Sequence, residues 1–323
     1  MILIGTDDGI HRWFQGGPWP VFHSLQHRAI KHMASSGGGS LTVIDDGGAI
    51  LESRDNGLSW RVIPAPEGTT RPTAIATGSG LEAPFVVAFK PLSLYFRVFG
   101  SAKAWTKLPE PAIEPDSSSP PPFVRVLTQG KPDSAVWYAA ISGKGLWRSG
   151  DSGASWKPCA GLPNDIFSVR VAGEGAGLVV AATSDGVWIS EDGGETWADR
   201  SKGLESARYA RVVAIDPDDP NLLLAGAAPK GGIEASSPGK KVPLGFALYE
   251  SKDRGKTWSH VRRGFPERLE FDSIIDIRHD SAATEFALVA FDSGEMWRTR
   301  NAGEWWEPFS RQIQSARTLC AVT

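Results

Sequence analysis

Cysteine, methionine and tyrosine are scarce in this chain of 323 residues, with 2, 3 and 4 copies. Cys159 and Cys320 stand far apart and outside any metal-ligand spacing, so no disulfide framework is expected and a reducing compartment is allowed. Net charge is scarce too. Against 37 Asp and Glu there are 34 Lys and Arg, a formal charge of -3, which argues against bulk attraction to nucleic acid or to a membrane surface. No apolar run reaches the roughly 20 residues of a spanning helix, so no membrane span is expected. Met1 runs straight into Ile2-Leu3-Ile4-Gly5 without the basic region, apolar stretch and cleavage site of a leader, and a cytoplasmic location is the expectation. The histidines His11, His23, His27, His32, His260 and His279 show no metal spacing. No glycine-rich loop opens onto a helix, so neither metal nor cofactor is expected. Ser36-Gly37-Gly38-Gly39-Ser40 reads instead as a flexible turn.

Glycine (36), proline (23) and tryptophan (13) are plentiful, and one octapeptide accounts for much of this. Ser190-Glu191-Asp192-Gly193-Gly194-Glu195-Thr196-Trp197 has close copies at Ser53 to Trp60, Ser149 to Trp156 and Ser251 to Trp258, and a worn copy at Thr299 to Trp306. The shared form is S-x-D-x-G-x-[ST]-W. Ser and Asp side chains close a turn locally by accepting backbone N–H groups, and the Gly supplies a positive φ that other residues resist. The Trp buries a large ring beside that turn. Short apolar strands precede the copies, with an aromatic residue two positions before the Ser or Thr at Trp147, Trp188, Tyr249 and Trp297. Each octapeptide is therefore a hairpin corner, and its recurrence marks one repeated supersecondary unit.

Taken in order, the chain divides into seven such units. Met1 to Phe14 reads as two strands about the turn Thr6-Asp7-Asp8-Gly9, with a third near Trp19 to His23 and a first strand missing. The second unit offers strands at Arg28 to Ala34, Leu41 to Asp45, Ala49 to Ser53 and Ser59 to Ile63. The third, Pro72 to Lys107, lacks the octapeptide; the fourth and fifth end at Trp156 and Trp197. A Pro/Ser-rich loop at Pro109 to Pro122 and a Gly/Ser/Lys-rich insertion at Pro229 to Pro243, expected to be mobile, interrupt the series. The seventh ends at Trp306. Ala316 to Val322 is then a strand without a hairpin partner, and it fits beside Ile2 to Gly5. The late tryptophans Trp19, Trp60, Trp105, Trp156, Trp197, Trp258 and Trp306 give the count. The expectation is an all-β, closed seven-bladed propeller of four-stranded blades, one domain over residues 1–323, with blade 1 shared between residues 1–24 and 315–323.

The octapeptide is the Asp-box, and the chain resembles the Asp-box (BNR repeat) propeller superfamily, which includes sialidases, some glucanases, sortilin-type receptors and photosystem assembly factors. The resemblance covers nearly the whole chain, and the motif is specific for fold only. It implies that Asp55, Asp151, Asp192 and Asp253, with Trp60, Trp156, Trp197 and Trp258, are structural. Sialidases of the superfamily hold a substrate carboxylate with three arginines. Their N-terminal Arg-Ile-Pro motif is absent, the nearest text being Arg61-Val62-Ile63-Pro64, and no nucleophilic tyrosine can be assigned among Tyr95, Tyr138, Tyr209 and Tyr249.

Arginine recurs on the expected innermost strands, at Arg28, Arg125, Arg170, Arg211, Arg278 and Arg317, with Arg71 just ahead of another. Several planar guanidinium forks converging on a channel mouth would make an anion site; the plainer reading pairs them with Asp276, Asp272 and Glu270. Asp7, Asp8, Asp45, Asp46, Asp185 and Asp292 gather at second-to-third strand turns, where tight turns require Asp and where two carboxylates could also act as acid and base on a glycoside. No catalytic residue is identified. The expected function is a non-catalytic binding or assembly propeller that presents its loop face and an arginine-lined mouth to a protein partner or an anionic small molecule or glycan. The alternative is a glycoside hydrolase or lyase of BNR type acting on an acidic sugar, which rests on fold analogy.

Overall fold

The computed structural model describes the chain except residues 15, 16, 18, 19, 79–82, 102, 115–119, 131–133, 173–176, 231–244, 268–271, 281, 282, 310–312, 314 and 323, and the side chains of 283 and 284. Trp19, Glu270, most of the Pro229 to Pro243 insertion and the middle of the Pro109 to Pro122 loop therefore lie outside the described residues. The described strands number 28 and form seven four-stranded antiparallel sheets. Blade 2 is β4 (Ile30–Gly37), β5 (Ser40–Asp45), β6 (Ile50–Ser53) and β7 (Arg61–Ile63). Blades 3 to 7 repeat the pattern from their innermost strands β8 (Arg71–Thr77), β12 (Val124–Gln129), β16 (Ile166–Ala172), β20 (Tyr209–Ile215) and β24 (Ile274–Asp280). The chain is a seven-bladed β-propeller.

Blade 1 closes the ring. Its order is β28 (Thr318–Ala321), β1 (Ile2–Thr6), β2 (Gly9–Trp13) and β3 (Val21–Ser24), so the last strand of the chain is innermost and pairs with the first, Ile2 opposite Ala321 and Gly5 opposite Thr318. The Met1 ammonium reaches Asp280 of blade 7 at 3.4 Å. An open ring would leave two sheet edges unpaired, and this exchange removes them.

The second strand of each blade explains why the blades stack. β5, β13 (Trp137–Ile141), β17 (Leu178–Thr183) and β21 (Leu223–Ala228) are buried along their whole length, as befits strands covered on both faces and rich in Val, Leu, Ile and Ala. Seven apolar clusters result, each between two adjacent blades. One joins Leu3 and Ile10 of blade 1 to Ile30 and Val43 of blade 2; another joins Leu248 and Val261 of blade 6 to Ile277 and Trp306 of blade 7. At roughly 25 cal/mol per Å2 of apolar area removed from water, these interfaces rather than any single core hold the ring.

The octapeptide turns sit between third and fourth strands. In each, the Ser hydroxyl donates to Asp Oδ1 and accepts the glycine N–H four residues on; in blade 5 these distances are 2.7 and 2.7 Å. Asp192 Oδ1 also accepts the Thr196 N–H (2.9 Å), and its Oδ2 accepts the Thr196 hydroxyl (2.6 Å). The residue before the glycine is left-handed as well: Asn56, Ser152, Gly193 and Arg254 have φ of 59, 61, 72 and 58°. Asn301 takes the Asp place in the worn copy, accepting from Thr299 Oγ1 (3.0 Å) and from the Trp305 N–H (3.0 Å). Blade 3 holds its turn differently, with Arg97 donating to the carbonyls of Lys103 (2.6 Å) and Ser101. Four of the late tryptophans then reach back one blade: Trp60 Nε1 donates to Ser24 Oγ (3.0 Å), Trp105 Nε1 to Pro64 O (2.7 Å), Trp156 Nε1 to Pro109 O (3.1 Å) and Trp258 Nε1 to Arg200 O (2.7 Å), while Trp197 Nε1 stays within its own turn, on Gly194 O (3.2 Å).

One local expectation needs correction and another is sharpened. The second unit's inner strand begins at Ile30 rather than Arg28. The glycine run belongs to a tight hairpin, with Gly37 paired opposite Ser40 and φ of 79, 57 and 85° at Gly37, Gly38 and Gly39; the Gly39 carbonyl accepts the Asn56 N–H at 2.9 Å.

Candidate functional site at the channel mouth

Every inner strand of blades 2 to 7 carries a β-bulge near its start, where the pairing skips one residue: Lys31, Thr73, Arg125, Phe167, Arg211 and Ile275. A bulge leaves its extra residue unpaired and re-aims its side chain. All but Thr73 line the upper channel, joined from blade 1 by Arg317, which directly precedes β28. The mouth is thus lined by four cations and two apolar side chains, with cations in blades 1, 2, 4 and 6. Where blades 5 and 7 place Phe167 and Ile275, an arginine follows three residues deeper, at Arg170 and Arg278.

Of the six arginines expected on inner strands, Arg28 is misassigned. It precedes β4 and turns to Asp45 at the β5–β6 corner, Nη1 to Oδ2 2.6 Å, instead of lining the channel. Lys31, three residues on, takes its place, and the signal in the sequence would have been its register with Arg125 and Arg211. Arg71 bonds Asp46 across an exposed corner at 3.3 Å. Arg317 pairs with Asp7. Arg125 lies 3.7 Å from Asp165 and covers the Phe167 ring at 4.9 Å. Arg211 donates to Ser273 Oγ at 3.1 Å. Among the described residues, neither Lys31 nor Arg211 has a carboxylate within ion-pair distance.

Deeper in, the arginines meet one carboxylate. Asp276 Oδ1 lies 3.3 Å from Arg170 Nη2 and 3.3 Å from Arg278 Nη1, and accepts the Ile277 N–H at 3.0 Å; its Oδ2 accepts the Leu319 N–H at 3.0 Å. This crossbar ties blades 5, 7 and 1 across the channel. Asp272, by contrast, spends its Oδ1 on the N–H groups of Ser273 and Ser293.

The electrostatics of the mouth follow from these pairings. Burial lowers the Lys31 ammonium pKa, the Arg71, Lys90 and Arg317 charges push it further down, and Asp46 opposes them. His32 is held neutral, its pKa lowered to about 4 by burial and then by Lys31 and Arg71. The upper channel opens into cavities of about 260 and 430 Å3, room for a small anion or the end of a peptide. A carboxylate placed there meets several forked donors at once.

No protein-family model and no curated protein matches the sequence. Solved structures do. YCF48 bound to D1 peptide superposes with a TM-score of 0.61 at 14% identity, covering 93% of this chain and 86% of that one. YCF48 from Cyanidioschyzon merolae gives 0.58 at 14% over 90% and 87%. The chain shares their fold. A GH74 enzyme from Niastella koreensis is also similar, with a TM-score of 0.63 at 11% identity over 98% of this propeller and 65% of that chain. At such identities the likeness concerns the fold alone.

The propeller's box carboxylates lie away from the mouth, and their acidity reflects their turns. Asp55, Asp151 and Asp192 are lowered to about 2, chiefly by the hydroxyl of Ser59, Ser155 or Thr196. Asp185 is lowered by Lys230 and Arg208. Among the described residues no group of three His, Cys, Asp or Glu side chains is arranged to hold a metal ion, and no helix is long and apolar enough to cross a membrane.

Proposed function

We propose that this chain is a binding or assembly propeller whose upper mouth takes an acidic peptide segment or another carboxylate-bearing ligand, in the cytoplasm. The observation that carries this reading is the bulge ring: Lys31, Arg125, Arg211 and Arg317 point into one mouth, and two of them lack a carboxylate partner among the described residues. Cations crowded without counter-ions favour an anion, and the depressed Lys31 pKa has that crowding among its causes. YCF48, of similar fold, was captured with a peptide, which supports a protein partner. Two free thiols suit a reducing compartment.

The hydrolase alternative draws less support. A general acid needs a carboxyl whose pKa is raised. Asp7, the carboxylate nearest the ring, is engaged by Arg317 instead, and the resolved shifts of Asp55, Asp151, Asp185, Asp192, Asp253, Glu205 and Glu307 are all downward.

A fluorescein-labelled Glu-rich peptide, followed by anisotropy at rising salt, tests the proposal. Wild type is expected to bind, with affinity falling steeply with ionic strength, and the Lys31→Ala/Arg211→Ala variant to bind about ten-fold or more weakly at an unchanged melting temperature. Equal binding by the two proteins would remove the mouth as the site. Hydrolysis of an acidic glycan by wild type and not by an Asp7→Asn variant would favour the alternative.

A further inference from the structure

The Arg170–Asp276–Arg278 crossbar has a lower side, and it faces a second chamber. This cavity, of about 520 Å3, opens on the opposite face from the cationic mouth. Its wall near the crossbar is apolar, made by Met33, Ile75, Leu127 and Leu319, while its rim carries the small polar ends of β4, β8 and β12. No carboxylate lines it among the described residues. The rim hydroxyls are largely spent, Thr77 Oγ1 donating to Ser35 O (2.7 Å) and Thr128 Oγ1 to Gln129 O (3.2 Å).

Charge does not balance at the crossbar. Two guanidinium groups share one carboxylate: Asp276 accepts from Arg170 and from two backbone N–H groups, and Arg278 Nη1 lies 3.3 Å away as an ion pair. Arg170 Nε is buried without a partner. Arg278 spends Nε on Leu319 O (3.1 Å) and Nη1 on Ile277 O (3.3 Å) and Asp276, which leaves Nη2 over. Burial and the nearby Arg278 charge, against Asp276, bring the Arg170 pKa down to about 9. One surplus positive charge therefore stands at the apolar end of a pocket. Two half-buried cations with one carboxylate between them are under-compensated, and a bound anion relieves this.

We propose that the lower chamber binds a small organic monocarboxylate, its carboxylate on Arg170 and Arg278 and its hydrocarbon part against Met33, Ile75 and Leu127. A surplus of one charge matches a monoanion. The planar guanidinium forks match a carboxylate in shape, and the apolar wall rewards a hydrocarbon body over a fully polar ion. The chamber shares the crossbar and the Met33, Ile75 and Leu127 wall with the upper cavity but has its own opening and rim at the ends of β4, β8 and β12, and it uses neither Lys31 nor Arg211, so it does not depend on the function proposed for the mouth.

Calorimetric titration of the intact protein with hexanoate, acetate, hexanamide and inorganic phosphate tests this. Hexanoate is expected to bind one to one, about ten-fold or more tightly than acetate, and hexanamide to give no saturable heat. Arg170→Gln should weaken hexanoate at least ten-fold. Thr128→Trp, which fills the rim and leaves every charge in place, should weaken it too, so the proposal stays testable if the arginine variant does not fold. Lys31→Ala/Arg211→Ala should bind hexanoate as wild type does. Phosphate or acetate binding as tightly as hexanoate, equal binding of hexanamide, unchanged binding by a folded Thr128→Trp variant, or loss of binding in the mouth variant would each overturn the assignment.

Discussion

The box turns and the inner-strand bulges are both repeats, yet they use polar groups in opposite ways. In a box turn the Asp, Ser and backbone groups satisfy one another within eight residues, as Asp192 does with Ser190 and Thr196. At the bulges, side chains from distant parts of the sequence are brought together with donors to spare, as at Lys31 and Arg211. A motif that is complete within itself builds a scaffold; one that becomes complete only with a visitor builds a site.

The contrast can be broken most forcefully at the crossbar, where long-range polar groups do serve the scaffold. Asp276→Ala leaves Arg170 and Arg278 facing each other without their carboxylate, and a loss of about 3 kcal/mol in urea unfolding is expected, in the range for removing one partner of a buried pair. A box substitution should cost less, because each turn is local. Asp192→Ala is expected to lower the melting temperature by roughly 2–4 °C, and the converse Asn301→Asp, which restores the charged form in blade 7, to leave it level or raise it slightly.

Acid sharpens the same contrast. The turn hydroxyls and N–H groups hold Asp55, Asp151 and Asp192 down to about 2, below an unfolded value near 3.9. Their contribution is present above that unfolded value and is lost as pH falls through the folded one. The stability gap between wild type and Asp192→Asn should therefore be full at pH 5 and close between about pH 4 and pH 2, as thermal melts across that window would register. The smallest effect is expected at the seams between blades. Trp156→Phe deletes the indole bond to Pro109 O and trims a half-buried ring at the edge of the blade 3–4 cluster, and about 1 kcal/mol should go. The mouth variants should cost no stability at all.

How far the sequence could be read follows from the same distinction. The box turns were legible because all their partners lie within eight residues, and so was the ring, since the unpaired strand near Leu319 needed a place beside Ile4. The cationic mouth was half legible. Arginine recurrence pointed to Arg125, Arg211 and Arg317, but bulges are invisible in composition, so Arg28 stood in for Lys31. Nor does any local pattern reveal that Arg170 and Arg278, 108 positions apart in number, converge on one carboxylate. Blade 3 was legible as a unit at Pro72 to Lys107 but its turn was not, because Arg97, a long side chain acting from the preceding strand, holds it and no short motif encodes that.

Pairing of the first strand with the last also imposes an order on synthesis. Six blades hold their own four strands and can assemble as they leave the ribosome, but blade 1 waits with three until residues 318–321 have been made. Until then the inner edge of Ile2–Thr6 has no pairing strand. The growing chain carries an association-prone edge for as long as those four residues are unmade, and their arrival is the event that covers it.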